Sequence, residues 1–295
     1  MSERKQTYRG DITLKRAGTP VAWSAELIDE FKKCKEDVIY FSEKYIKIVT
    51  EDGLVPIVLR DYQKELIKSM VDNRATYALQ CRQSGKTEAM RCFALHYIIF
   101  NEQKTIALLA NKGATAMEIL GKIQMAFRSL PLWLQQGVAE WNKGSLVLEN
   151  GSRIIAAATS SDAIRGYTVQ TLMLDEFAFI ENFDEFYSAV LPTISAGKKT
   201  KIICCTTPNG LNHAYKFWED SKKGKNDFHR IYVPWHRVPG RDAEWKESTL
   251  RLMGGDLQKF AQEQECVSGD TMISLRDKET GEVYDLTIEE AFMFL

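Results

Sequence analysis

The sequence predicts an α/β fold with a central, mainly parallel sheet. A short apolar run at residues 77–79 leads through a tight loop, QCRQSGKT at residues 80–87, into an amphipathic stretch typical of a helix. Apolar runs of strand length recur at residues 105–110, 171–174 and 201–205, separated by stretches with helical periodicity. The run at 171–174 ends in two adjacent carboxylates, as expected where a buried strand opens onto a ligand site.

Composition narrows the class of protein. The 295 residues are 44% hydrophobic and 27% charged, which is typical of a globular protein. The net charge of −1 argues against an overall positive electrostatic field that would attract nucleic acid or a membrane surface. No segment approaches the roughly 18 apolar residues of a spanning helix. The six cysteines lack zinc-site spacing and are expected to be reduced thiols; they lie at positions 34, 81, 92, 204, 205 and 266. We expect the protein to stay in the compartment where it is made.

Residues 1–50 form the first predicted unit, an N-terminal tail followed by a helical layer. Residues 1–22 are polar and unpatterned, and we interpret them as a tail or an arm that binds a partner. Ser24 is a plausible N-cap for a helix whose apolar residues recur at helical spacing, namely Leu27, Ile28, Phe31 and Cys34. The apolar run at residues 38–48 is expected to continue this helical layer.

A second unit, residues 51–265, is predicted to hold the sheet. A helix starting near Asp61 places Tyr62 and Gln63 in its first turn, just upstream of the strand at 77–79. A glutamine amide there can bond both hydrogen-bonding edges of adenine, and the alternative is an exposed glutamine on a helix.

The loop at residues 80–87 has the context of a phosphate-binding P-loop. Backbone N–H groups of Gln83, Ser84 and Gly85 and the positive end of the following helix would cradle a polyphosphate. Lys86 would meet the outer phosphates, and the Thr87 hydroxyl would ligate magnesium.

One departure from the P-loop pattern is visible, because Gln80 replaces its usual first glycine. A lone Gly-Lys-Thr is common by chance, so an ordinary helix start is the alternative for this stretch. Later in the chain, helical periodicity at residues 114–127 stops before Pro131. An Asn-Gly turn between the apolar runs at residues 145–158 predicts a hairpin.

Asp175 and Glu176 complete the predicted nucleotide constellation. Adjacent carboxylates at the end of a buried strand repel one another unless a cation neutralises them. With Mg²⁺ held by Thr87 and Asp175, Glu176 would orient or deprotonate the water that attacks the γ-phosphate of ATP. Either Arg82 in the loop or Arg165 upstream could offset charge in the transition state, and for Arg165 a structural salt bridge is the alternative.

With these residues assembled, the chain resembles the ATPase half of a tailed-phage large terminase subunit over about residues 38–265. The resemblance rests on the ordered set formed by residues 59–63, 81–87, 162–166, 174–176 and 206–213. It implies a P-loop NTPase fold of the RecA/ASCE type, with ATP and Mg²⁺ as cofactors.

The resemblance also implies roles for individual residues. Gln63, with Tyr62 beside it, matches the adenine-contacting position, and Arg82 matches a loop arginine proposed to act on the γ-phosphate. Thr206 and Thr207 match the motif that couples hydrolysis to movement. Gln80 matches the family's deviant loop.

In the same way, Asp175 and Glu176 match the magnesium and water-activating carboxylates of the family. The implied activity is ATP hydrolysis that drives double-stranded DNA into a prohead. The implied partners are the portal protein, the small terminase subunit and further copies of the chain in a ring on the portal, with no membrane involved. We expect the protein in the host cytoplasm and transiently at the prohead portal. Family members also carry a nuclease domain of the RNase H type, to which no residues here correspond, so packaging is expected to need that missing half.

Residues 266–295 are interpreted as a third unit, an all-β fragment. Residues 266–275 resemble the first block of an intein of the HINT-type fold, in which the Cys266 thiol would attack the Glu265 carbonyl. A buried cysteine leading an ordinary strand is the alternative. The later intein blocks are missing, and a split intein and a truncated sequence both explain this. We expect a separately encoded partner to supply the rest of the intein and the nuclease.

Two other functions remain open from the sequence. A superfamily 2 helicase also pairs an upstream glutamine, a P-loop and Asp-Glu, but it needs a second RecA-like domain. Alternatively, the chain is a splicing precursor that stays inert until it is ligated.

Overall fold

The structure, a computed structural model, describes residues 6–51, 53–160, 162–195, 197–265, 272–276, 280–287 and 290. The strands are β1 Thr7–Tyr8, β2 Asp11–Lys15, β3 Lys47–Thr50, β4 Gly53–Pro56, β5 Ala75–Gln80, β6 Thr105–Ala110, β7 Val138–Trp141, β8 Ser145–Leu148, β9 Arg153–Ala158, β10 Thr171–Asp175, β11 Lys201–Thr206, β12 His229–Val233, β13 Met272–Arg276 and β14 Val283–Thr287.

The helices are α1 Ala25–Glu36, α2 Val38–Tyr45, α3 Asp61–Asp72, α4 Lys86–Phe100, α5 Gly113–Ser129, α6 Phe183–Ser195, α7 His213–Lys222, α8 Ala243–Leu252 and α9 Leu257–Phe260. Short 3₁₀ turns lie at Phe177–Phe179 and Trp235–Arg237, and a π-helical segment lies at Ala261–Glu265.

An eight-stranded sheet forms the centre of the fold, in the order β12-β5-β11-β10-β6-β9-β8-β7. The six strands from β12 to β9 are parallel, and β8 and β7 are added antiparallel at one edge. All six residues of β5 and all six of β6 are buried, as expected for parallel strands covered on both faces. The predicted α/β fold with a mainly parallel sheet is confirmed.

The register of this sheet brings three strand ends together. Asp175 at the end of β10 lies opposite Cys205 of β11, and Thr206 of β11 lies opposite Leu79 of β5. Because β5, β10 and β11 are parallel, their carboxyl ends open onto the same edge of the sheet. The segments that follow these strands are therefore neighbours although they are far apart in sequence.

The helices that border this edge begin where the sequence predicts. The α3 helix starts at Asp61, and α4 starts at Lys86 directly after the loop. The predicted cap of α1 is confirmed, since the Ser24 hydroxyl accepts the N–H of Leu27 at 3.3 Å. The predicted hairpin at residues 145–158 forms β8 and β9.

The N-terminal segment differs from its predicted form. Residues 7–15 are a β1–β2 hairpin, and Leu14 is buried in the main core. The Gln135 side chain bonds the N–H of Lys15 at 3.0 Å and the carbonyl of Thr13 at 2.9 Å, and Glu149 lies 3.6 Å from the Lys15 ammonium. The interpretation as an unpatterned tail is wrong here. The side chains that hold the hairpin to the core, Gln135 and Glu149, lie over a hundred residues away in sequence, so no local pattern marks it.

The helical layer also ends earlier than predicted. The α2 helix stops at Tyr45, and Ile48 lies in β3, which pairs with β4. The α2 helix starts at Val38 because the Asp37 carboxylate accepts the N–H groups of Ile39 and Tyr40. Among the described residues, no helix is long and apolar enough to cross a membrane.

The C-terminal strands β13 and β14 form a separate antiparallel hairpin that shares no strand with the central sheet. Cys266, the predicted splicing nucleophile, lies outside the described residues.

Candidate functional site

The loop between β5 and α4 has the backbone shape of an anion-binding nest. Gln83 and Gly85 adopt positive φ angles of 56° and 85°. Successive N–H groups in such a conformation converge on one point, and the positive end of the α4 dipole lies at the same place. The positive φ of residue 85 favours glycine, and a Cβ there would lie 2.5 Å from the Gln63 Nε2 atom, so the Gln63 side chain would have to move.

Gln80, the departure from the usual P-loop pattern, braces the loop from inside. Its Oε1 atom accepts a hydrogen bond from the Ser84 hydroxyl at 3.0 Å, and both side chains are fully buried. The Gln80 Nε2 atom is buried and has no hydrogen-bond partner within the described part of the chain. A glutamine at this position therefore links the two ends of the loop.

Tyr62 and Gln63 reach the loop from the first turn of α3. The Tyr62 hydroxyl donates to the carbonyl of Ser84 at 2.8 Å, and the Gln63 amide donates to the carbonyl of Gly85 at 3.0 Å. The Gln63 carbonyl oxygen accepts the N–H of Arg60 at 2.9 Å. Both polar ends of the Gln63 amide thus bond the protein backbone, and each keeps a second hydrogen-bonding position. The adenine contact stays a prediction.

Lys86 and Glu176 meet across the edge of the sheet. The Lys86 ammonium lies 2.9 Å from the Glu176 carboxylate, and both side chains are largely buried. Burial alone would lower the pKa of Lys86, but the attraction of Asp175 and Glu176 outweighs it and raises that pKa above its usual value. Glu176 has a positive φ of 53° at the sharp turn after β10, which turns its carboxylate away from the strand direction.

Asp175 is the most deeply buried acid of the site, with 4% of its surface exposed. Burial raises its pKa from 3.8 to about 6, and the neighbouring Glu176 charge adds to this while Lys86 opposes it. Its Oδ1 atom has no hydrogen-bond partner among the described residues.

An unpartnered buried carboxylate oxygen beside Lys86 fits a divalent cation. Mg²⁺ bound with nucleotides usually takes one or two carboxylates and completes its shell with phosphate oxygens and water. This arrangement needs no all-protein cage, and the described residues contain no cluster of three acidic, histidine or cysteine ligands. Thr87, the second predicted ligand, lies in the first turn of α4, and its magnesium role stays a prediction.

Thr206 and Thr207 are buried at the end of β11, and their segment holds the turn that follows Glu176. The Thr206 hydroxyl accepts the N–H of Ala178 at 3.0 Å. Asn209 and Asn212 both donate to the carbonyl of Ala178, at 3.1 and 2.7 Å. The predicted coupling segment is therefore bonded to the backbone two residues beyond Glu176.

The two candidate arginines have different surroundings. The guanidinium of Arg82 bonds the Glu263 carboxylate of the π-helical segment, and the backbone N–H of Arg82 donates to the Glu263 carbonyl at 2.9 Å. Arg165 is highly exposed and pairs with Asp162 at 2.8 Å. The salt-bridge alternative for Arg165 is thus observed, and its role as a finger stays a prediction.

Sequence reasoning missed the contribution of residues 241–265. The loop is bonded by Arg241 and Glu263, and Gln264 bonds Arg241. These residues lie about 160 residues or more after the loop in the chain. No local motif marks these residues. Their position follows from β12, which pairs with β5 and carries the chain back to the site edge.

Comparison with known proteins identifies relatives of this fold. A family model described as the N-terminal part of the terminase large subunit, T4-like virus type, matches residues 77–290. The match extends beyond residue 265, where the sequence analysis placed the end of the resemblance.

Solved structures show the same architecture. The large terminase ATPase domain of Thermus phage P74-26 is 21% identical with a TM-score of 0.59, and the match covers 84% of this chain and all of that one. The large terminase of bacteriophage HK97 is 19% identical with a TM-score of 0.65, over 81% of this chain and 56% of that one.

A third structure, of a large terminase from a thermophilic bacteriophage in complex with ADP, is 14% identical with a TM-score of 0.52. The match covers 66% of this chain and 50% of that one. This chain therefore spans about half the length of the HK97 terminase and of this third protein. At these identities, the structural comparisons establish the fold.

The raised pKa of Asp175 predicts that Asp175→Asn stabilises the protein at pH 7.5 in the absence of added nucleotide and Mg²⁺. The folded protein binds more protons than the unfolded chain between about pH 4 and 6, so wild-type stability falls as the pH rises through this window. Asparagine removes that cost, and we expect a gain in the free energy of unfolding of roughly 1–3 kcal/mol. Urea unfolding at pH 7.5, 6 and 4.5 measures it.

The gain should shrink as the pH falls, because wild-type Asp175 then becomes neutral too. Asp162→Asn, which removes an exposed carboxylate, serves as the matched control and should change stability little. An Asp175→Asn protein less stable than the wild type at pH 7.5 would contradict the assigned burial cost.

Proposed function

This chain belongs to the terminase large subunit family, T4-like virus type, N-terminal domain, and on that premise we propose that it is the ATP-hydrolysing part of a DNA-packaging motor. The observation that carries the proposal is the convergence at one sheet edge of the nest-shaped loop, Lys86 and the Asp175–Glu176 pair. A positive helix end, a lysine and an unpartnered buried carboxylate together match a bound nucleoside triphosphate with its cation.

Lys86 has to change partners for this chemistry. It pairs with Glu176 in the structure, and the phosphate oxygens of ATP compete for the same ammonium. When Lys86 moves to the phosphates, the Glu176 carboxylate becomes free to accept a proton from water. The water oxygen then bonds the γ-phosphorus as the bond to the β-phosphate oxygen breaks, which yields ADP and phosphate.

The other residues bind and orient. Thr87 and Asp175 would hold Mg²⁺, which when bound neutralises charge on the β- and γ-phosphate oxygens. Arg82 is available to a γ-phosphate once it leaves Glu263, so phosphate and Glu263 are alternative partners of its guanidinium. Ala178, two residues after Glu176, is bonded through its backbone by the side chains of Thr206, Asn209 and Asn212. These bonds connect the turn after Glu176 to the segment at the end of β11, which supports the coupling role.

The partners follow from the family and are proposals for this chain. We propose that it acts on double-stranded DNA in a ring of like subunits on the portal, with the small terminase subunit, in the host cytoplasm and at the prohead. Family membership favours this function over a superfamily 2 helicase.

Lys86→Ala and Glu176→Gln separate binding from hydrolysis. Lys86→Ala should weaken ATP binding and abolish turnover, because the lysine contacts phosphate before and during reaction. Glu176→Gln should keep ATP binding while kcat falls by about a hundredfold or more, since only the proton acceptor is lost. Phosphate release and fluorescent-nucleotide titration measure the two effects.

Glu140→Gln, an exposed change on the far edge strand β7, is the matched control and should leave turnover intact. Wild-type protein that binds ATP without hydrolysing it would favour a splicing precursor that is inert until ligated. Full turnover in Glu176→Gln would contradict the assigned role of Glu176.

We also propose that the chain takes part in protein splicing through an intein fragment at residues 266–295. Two observations support this: the β13–β14 hairpin stands apart from the central sheet, and the Tyr232 hydroxyl donates to the Glu265 carbonyl at 2.8 Å. A donor at this carbonyl stabilises the oxyanion that forms when a thiolate attacks it. In the first step, the Cys266 sulfur bonds the Glu265 carbonyl carbon, the peptide C–N bond breaks, and the released amine takes a proton.

Mixing the chain with the fragment encoded by a separate partner gene tests this second proposal. Intact-mass spectrometry should show a ligated product that contains residues 1–265 and lacks residues 266–295. Cys266→Ala should give none, because the thioester cannot form. The absence of ligated product with the wild-type chain would exclude splicing without affecting the ATPase proposal.

A further inference from the structure

Arg241, just before α8, bonds the backbone of the phosphate-binding loop. One of its terminal nitrogens donates to the backbone carbonyl of Arg82 at 3.0 Å and to that of Gln83 at 3.4 Å. A guanidinium can serve two carbonyls at once because its donors form a rigid, planar fork. The peptide units that contain the Arg82 and Gln83 carbonyls are thus anchored by one side chain.

The Arg241 side chain is itself fixed in place. Its guanidinium lies 4.6 Å from the centre of the Trp245 ring, and its other terminal nitrogen donates to Gln264 at 3.0 Å and to the Cys81 sulfur at 3.3 Å. Among the described residues, no carboxylate forms a salt bridge with Arg241. Its guanidinium is held by neutral hydrogen-bond acceptors and by the Trp245 ring.

Anchoring a carbonyl also directs the next N–H group. In a trans peptide the C=O and N–H vectors point in opposite directions, so a carbonyl held outward turns the following N–H inward. Arg241 holds the carbonyls that precede the N–H groups of Gln83 and Ser84. Tyr62 and Gln63 hold the two carbonyls that follow, at Ser84 and Gly85.

The consequence is a row of donors that the protein leaves open. The backbone N–H groups of residues 83–86 donate to no acceptor within the described ranges. Four consecutive carbonyls bonded on the outside and four N–H groups open on the inside form a complete cradle for phosphate oxygens. Arg241 orients half of this cradle.

We propose that Arg241 is a positioning residue of the nucleotide site, which orients the N–H groups of Gln83 and Ser84 toward phosphate through the carbonyls of Arg82 and Gln83. This inference rests on the proposed function, because it assumes that a polyphosphate occupies the cradle. Arg241 acts through the loop backbone and takes no proton in the reaction. Its loss therefore weakens nucleotide binding more than it slows the bound reaction.

Arg241→Ala and Arg241→Lys test the proposal in the full chain. ATP with Mg²⁺ is titrated by calorimetry, and kcat and KM are measured separately. For Arg241→Ala we expect KM and the dissociation constant to rise by about tenfold, which corresponds to about 1.4 kcal/mol, with kcat changed by less than about threefold. Arg241→Lys keeps the charge but loses the fork, and should behave like alanine.

Guanidinium ion at millimolar concentration should partly restore ATP binding to Arg241→Ala and leave the wild type unchanged. Arg251→Ala, on the exposed face of the α8 helix that follows Arg241, is the matched control and should bind ATP normally. If thermal scanning shows that Arg241→Ala is unfolded, Arg241→Lys provides the test instead, because lysine keeps a long side chain and a positive charge beside Trp245.

Wild-type affinity in both Arg241 variants would overturn the inference, and so would full recovery by lysine, which would reduce the effect to charge alone. A drop in kcat at unchanged KM would overturn it as well. Failure of the proposed function is recognised separately, because the wild-type chain would then bind ATP without hydrolysing it, and calorimetry would still compare the affinities of the Arg241 variants.

Discussion

The proposed nucleotide site depends on the orientation of four peptide units between β5 and α4. Their carbonyls are bonded by side chains from two separate elements, α3 and the segment before α8. A loop of this length has little conformational preference of its own, and Gln83 is held in a left-handed conformation that a residue with a side chain seldom adopts. External hydrogen bonds therefore define the loop, and the site exists only when both flanking elements are docked.

The order of strands in the parallel sheet brings these flanking elements to the loop. The pairing of β5 with both β11 and β12 places the loop between the acidic end of β10 and the returning chain after β12. Glu176 contacts Lys86 from one direction, while Glu263 contacts Arg82 from the other. A polyphosphate that takes both cations would release both carboxylates together. Under the proposed function we therefore expect nucleotide to shift the turn at Phe177–Phe179 and the segment at Ala261–Glu265.

The central part of the fold was predictable from the sequence because its signals are local. The runs that form β6 and β10 are apolar and strand-length, and Asp61 and Lys86 mark helix starts by the residues around them. Gln63 shows the limit for a candidate site residue: its place in the first turn of α3 was predicted, but its bonds to the backbone of Gly85 and Arg60 were not.

Features that depend on distant partners were not predictable in this way. The β1–β2 hairpin carries few apolar residues and is held by Gln135 and Glu149, whose positions only the folded chain defines. Arg241 lacks a motif for the same reason, since its partners are backbone carbonyls, and any residue type supplies those.

The central claim, that the loop presents four inward N–H groups to phosphate, is tested most directly by backbone amide NMR of the chain with Mg²⁺ and ADP. We predict that the amide signals of Gln83, Ser84, Gly85 and Lys86 shift together and that their exchange with solvent slows when ADP binds. Binding of ADP that leaves these four amides unchanged would contradict the account.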